Sequence, residues 1–171
     1  MKRAFSLLAA IILILTAGCE KQSEKKAEET KVPEAFSSTL EISSGELSMT
    51  AKITQSSFGN GKIKMLSPKI LEPLEMTFVD EKCEVAYDSL KFESNSDRFP
   101  QVKIGSVLIQ TLAYIGTGVD VEKTIENGIV RYSGSCEHGV FILSQNSDNG
   151  NLTEFTVENM DLHIKFKDFN T

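Results

Sequence analysis

From Phe36 onward, apolar residues recur at every second position, the period of strands with one buried face. Leu40 and Ile42 alternate with Thr39, Glu41 and Ser43. Leu47, Met49, Ala51 and Ile53 alternate with Ser48, Thr50 and Lys52. Ile63 and Met65 alternate with Lys62 and Lys64, and Leu74, Met76 and Phe78 with Glu75 and Thr77. Cys83, Val85 and Tyr87 continue the rhythm, and Leu90 and Phe92 extend it. Turn-forming residues separate the runs: Ser44-Gly45, Gly59-Asn60-Gly61 and Asp80-Glu81. Pro68 and Pro73 cannot donate to a central ladder, so Ser67–Pro73 reads as an edge or a crossover.

Near the middle the period changes. Ile104, Val107, Leu108, Leu112 and Ile115 fall three and four residues apart, one stripe of a helix. Val102, Ile109, Ala113 and Tyr114 widen the stripe, and Ser106 through Val119 carries no charge. This predicts a helix buried on most sides, interrupted early by Gly105 and ending near Gly116 or Gly118. Strand rhythm then returns. A tight turn falls within Ile125–Ile129, an apolar run covers Val140–Leu143, and Ser147–Asn151 forms a hairpin loop. Phe155 and Val157 alternate with Thr156 and Glu158, and Leu162, Ile164 and Phe166 with His163, Lys165 and Lys167.

About ten short antiparallel strands and one inserted helix predict a mainly β domain of the α+β class. A helix of about fifteen residues cannot cover a flat sheet of that width. The expected architecture is therefore a strongly curved antiparallel sheet, a half-barrel, wrapped around the apolar helix.

The N-terminus changes the picture from fold to location. Lys2 and Arg3 precede an apolar run from Ala4 to Leu15 broken by Ser6, and Ala17-Gly18-Cys19 follows. These are the parts of a secretory signal, too short to span a bilayer that needs about 20 apolar residues. A cysteine directly after small residues resembles the lipobox of bacterial lipoproteins, although Thr16 stands where such motifs more often carry Leu, Val or Ile. The expectation is a signal peptide over 1–18 and lipidation of Cys19 with acyl chains such as palmitate. Residues 19–35, rich in Glu and Lys, read as a flexible charged tether, and residues 36–171 as one domain. The mature chain would sit on the extracytoplasmic face of a bacterial cell membrane, held by lipid.

Removing residues 1–18 leaves 153 residues and moves the net charge from −6 to −8. An acidic chain does not suit nucleic acid, whose phosphates need Lys and Arg. Cys83 and Cys136 remain after Cys19. In an exported chain they are a possible disulfide, and two separate thiols are the alternative.

Gly61-Lys-Ile-Lys-Met-Leu-Ser-Pro68, then Leu74–Phe78, then Asp80–Tyr87 resembles the strand series of LolA-like and LppX-like lipoprotein and lipid carriers. Gly61, Pro68, Asp80 and Tyr87 are the positions that match. The chain departs after Pro68, where LolA-like carriers place an arginine and this sequence reads Lys69-Ile70-Leu71-Glu72. The resemblance implies a hydrophobic groove between curved sheet and helix. Met49, Met65, Met76 and Phe78 from the strands, with Leu108, Leu112 and Ile115 from the helix, are the candidate ligand-binding residues. Methionine adapts its shape to acyl chains, but the same residues would serve as ordinary core filling.

No catalytic constellation emerges, no cofactor is implied, and the chain reads as a non-enzyme. His138 and His163 lack the partners of a metal site. Ser133, Ser135 and Ser144 lack a nucleophile elbow, and Gly116-Thr117-Gly118 lacks a nucleotide fingerprint. Two readings of function stand side by side. One is a membrane-anchored lipoprotein binding a lipid or other hydrophobic molecule. The other is an envelope interaction or sensor lipoprotein with a solid core.

Overall fold

The computed structural model describes residues 30–80, 82–94 and 99–171. The expected signal peptide, Cys19 and the first part of the tether lie outside the described residues. Among the described residues eleven strands form one antiparallel sheet: β1 (Phe36–Ser44), β2 (Leu47–Ser57), β3 (Asn60–Ser67), β4 (Leu74–Val79), β5 (Lys82–Tyr87), β6 (Leu90–Ser94), β7 (Glu122–Glu126), β8 (Ile129–Cys136), β9 (Gly139–Asn146), β10 (Leu152–Val157) and β11 (Leu162–Asn170). Their order across the sheet is β6-β5-β4-β3-β2-β1-β11-β10-β9-β8-β7, so the sheet is not closed into a barrel. Between the two halves of the chain lies a single α-helix among the described residues, α1 (Pro100–Thr117).

The alternation in the sequence becomes one buried face through the register. Val85 stands opposite Met76, Met76 opposite Ile63, and Ile63 opposite Ile53. In the other half Ile42 pairs with Ile164, Ile164 with Phe155, Phe155 with Leu143, and Leu143 with Tyr132. All of these side chains are buried, while Lys52, Lys64, Glu41 and Lys165 on the opposite face are exposed. Ion pairs there, such as Lys62–Glu75 at 2.8 Å, are solvent-facing and add little stability.

Helix α1 departs from its expectation at Gly105, which does not interrupt it. Gly105 is buried, and a Cβ there would lie 2.8 Å from Phe78 Cζ and 3.2 Å from Ile63 Cδ1. Glycine is thus needed for close seating on β3 and β4, and the helix tolerates its propensity cost of about 1 kcal/mol. Pro100 occupies the first turn, where its missing N–H is no loss. Gly118 ends the helix at φ 68°, its N–H bonding to the carbonyl of Ile115. The Ser67–Pro73 segment is not a crossover either: a cis Ser67–Pro68 bond and a 3₁₀ turn at Lys69–Leu71 join adjacent strands β3 and β4.

Residues 30–35, the last part of the expected tether, are seated on the domain. Val32 is 8% exposed and belongs to the core.

Candidate functional site

The site lies where α1 meets the Met-bearing strands. Met49, Met65 and Met76 come from β2, β3 and β4, and each points to the buried face because it falls in step with Ile53, Ile63 and Phe78. Ile104, Gly105 and Leu108 come from α1. Between them is a narrow apolar slot of about 10 Å³, also bordered by Leu40, Ile42 and Ile164. Such a volume admits roughly one water. Gln101 is the one polar residue on its wall.

The slot adjoins a wider recess through Ile104, which borders both. That recess, about 420 Å³ and open to solvent, is lined by Leu47, Phe99, Pro100, Lys103 and Met160 among others. Phe99 and Leu47 are 44% and 46% exposed. Phe99 lies 5.9 Å from Phe92, ring centre to ring centre. A second recess of about 170 Å³ lies further along α1, between Val107, Thr111 and Tyr114 and the end of β8, with Cys136 and His138 on its wall.

The sequence candidates are therefore sorted by place. Met49, Met65, Met76 and Leu108 line the slot. Phe78 is beside it, under Gly105. Leu112 and Ile115 are buried further along the helix and do not border it. The residues missed by the sequence are Gln101, Ile104 and Gly105 on the helix and Leu40, Ile42, Ile63 and Ile164 on the sheet. Alternation already marked the sheet residues as inward, but only the pairing of β1 with β11 brings Ile164 beside Ile42.

The possible Cys83–Cys136 disulfide does not form: both thiols are free. The reason is topological, since β5 and β8 stand near opposite ends of the sheet order. Cys83 is buried, and desolvation pushes its thiol up to about 11, which keeps it protonated and unreactive. His163 pairs with Glu154 across β10 and β11 on the outer face. Among the described residues no three His, Cys, Asp or Glu side chains come together to hold a metal ion. No described helix is long and apolar enough to cross a membrane.

A second group of buried polar residues was not foreseen. Gln145 is fully buried on β9, and its Nε2 donates to the carbonyls of Lys31 (3.0 Å) and Gly150 (2.6 Å). Tyr132 Oη lies 3.0 Å from Gln145 Oε1 and 3.0 Å from the Thr30 carbonyl. Burial pushes the Tyr132 phenol up to about 12. Gln55 Nε2 donates to the Glu34 carbonyl at 3.0 Å. The available signal was a glutamine falling where strand alternation demands an apolar residue, in step with Phe141 and Leu143 for Gln145 and with Ala51 and Ile53 for Gln55.

No protein-family model matches the sequence, and no curated protein matches it. Solved structures do. An uncharacterized conserved protein from Thermus thermophilus is similar with a TM-score of 0.51 at 11% identity, over 89% of this chain and 86% of that one. A DUF1329 family protein from Desulfovibrio piger ATCC 29098 gives 0.47 at 11% identity, over 88% and 92%. A LolA superfamily protein from Nitrosomonas europaea gives 0.44 at 11% identity, over 88% and 92%. At this identity the likeness to the Thermus protein is one of fold alone.

Proposed function

We propose that this chain is an extracytoplasmic lipoprotein, anchored through Cys19, that binds a lipid or another hydrophobic molecule between α1 and a sheet curled around it. The single observation that carries the reading is the methionine-walled apolar slot between α1 and the sheet, separated by Ile104 from the recess at Phe99 and Leu47. The slot is closed at rest, far below the several hundred Å³ that an acyl ligand occupies. Binding therefore requires the first turns of α1 to lift. Thioether side chains suit a surface that must repack around a guest.

Curling of the sheet is supported by the reach of α1. Gly105 meets Phe78 on β4, and Tyr114 lies 6.2 Å from Phe141 on β9, ring centre to ring centre. On a flat sheet β4 and β9 would stand about 29 Å apart, at roughly 4.8 Å per strand. Nine residues of helix span only about 13.5 Å. A bowed sheet brings both contacts within range.

To test the reading, residues 20–171 are purified without the acyl anchor and analysed by native mass spectrometry after mild extraction. A lipid-sized adduct, or saturable uptake of a fluorescent acyl probe, is the expected result. An empty domain that ignores the probe would remove the carrier reading. It would leave the second one, an envelope interaction protein with a solid core, which the small size of the slot favours.

A further inference from the structure

Thr30–Glu34 lies across the buried face of the sheet, on side chains from four strands. Gln145 and Tyr132 take the carbonyls of Lys31 and Thr30, Lys123 Nζ donates to the Thr30 carbonyl at 2.8 Å, and Gln55 donates to that of Glu34. Every one of these bonds reads backbone, and the one side chain sunk into the core is Val32. The arrangement is that of a slot for an extended peptide, occupied by the chain's own segment.

The slot borders α1. At Gly61, opposite Gln55 in the β2–β3 register, an added Cβ would lie 2.9 Å from Ile109 Cδ1 and 3.5 Å from Gln55 Cα. Gln55, which holds the Glu34 carbonyl, thus lies near the middle of the helix, while Tyr132 on β8 and Gln145 on β9 hold the other end of the segment. Its fit is incomplete. Gln55 is 2% exposed, yet its Oε1 has no hydrogen-bond partner. A buried acceptor left unpaired weakens the seated state relative to a released one, in which water reaches it.

We propose that residues 30–34 are a releasable strap. Seated, the strap ties the chain leading toward residue 19 to this end of the trough and holds α1 down. Released, it frees the end of the trough and loosens α1. The link to ligand uptake rests on the function proposed above, whereas the link between strap and helix does not.

The experiment compares the full chain in lipid nanodiscs with its Val32→Ser and Gln145→Leu variants by amide hydrogen exchange. Val32 lies outside every strand, so its substitution leaves the sheet intact, and unchanged exchange in β1 and β11 checks this. Exchange at least tenfold faster in both residues 31–36 and residues 108–117 is expected. Adding a synthetic peptide of residues 29–36 to the Val32→Ser chain should restore protection of the helix. Fast exchange of the strap alone, with α1 unchanged, overturns the proposal. Uptake of a fluorescent acyl probe by residues 20–171 is measured in parallel, and the Val32→Ser form should take it up at least fivefold faster. If wild type takes up the probe and the variant does so at the same rate, the gating role is overturned while the carrier reading stands. If neither takes it up, the carrier reading fails, and the helix exchange alone decides the strap.

Discussion

Replacing Gly105 with alanine sets two effects of known size against each other. Alanine favours the helix over glycine by about 1 kcal/mol. Its Cβ, however, would arrive 2.8 Å from Phe78 Cζ and 3.2 Å from Phe78 Cε2 and Ile63 Cδ1, all on buried side chains. Overpacking of this kind costs about 1–3 kcal/mol in a tight core. The ring of Phe78 cannot simply turn away, because it is confined by α1 and by its own sheet. Packing should outweigh propensity, for a net loss of about 1 kcal/mol. In a chain of this size that lowers Tm by about 2–4 °C. Thermal and urea unfolding of residues 20–171 would measure it. Adding Phe78→Leu should recover part of the loss in the double variant, because the two sites share one contact. A Gly105→Ala protein that gains about 1 kcal/mol would refute the close seating of α1 on β3 and β4.

Three further outcomes are expected. Leu108→Asp would place a carboxylate with no partner between helix and sheet, at a cost of several kcal/mol, and should abolish cooperative unfolding; Val119→Asp, on an exposed residue, should change stability by less than about 0.5 kcal/mol. A maleimide at pH 8 should label partly exposed Cys136 and leave buried Cys83 unlabelled until denaturant is added; equal labelling would contradict burial of β5. Because the folded Cys83 thiol titrates near 11 and the unfolded one near 9.0, the folded state holds its proton longer. Stability is unaffected by this group below pH 9 and falls as pH rises from 9 to 11, by at most about 1.4 kcal/mol per pH unit. Tyr132 adds a loss of the same sign from pH 10 to about 12. Cys83→Ala should flatten the lower part of that fall, and an unchanged profile would count against it.

Much of this fold was legible because an antiparallel sheet with one wet face writes its burial into every second residue. Strand phase, the helical stripe from Ile104 to Ile115 and most turns followed from that rule and from residues that tolerate positive φ, such as Asn127 and Gly128. Register was not legible. Nothing in the spacing of Leu40 or Phe166 says that they stand opposite each other, and the wall of the slot depends on that pairing. Gly105 was misread because helix propensity is local, while its reason for being there is Phe78, distant in sequence. The buried glutamines were passed over because their partners are main-chain carbonyls, which carry no sequence signal. A methionine lining a closed slot also looks the same in sequence as one filling a core.

The chain contains no tryptophan, so Phe99→Trp would place a single fluorophore at the recess outside the slot. Titrating this variant of residues 20–171 with fatty acids brominated at successive carbons measures whether a chain enters between α1 and the sheet. The expected result is saturable quenching that depends on bromine position, strongest for one segment of the acyl chain. Weak, linear quenching that ignores bromine position would mean that the helix stays down and the groove admits no guest.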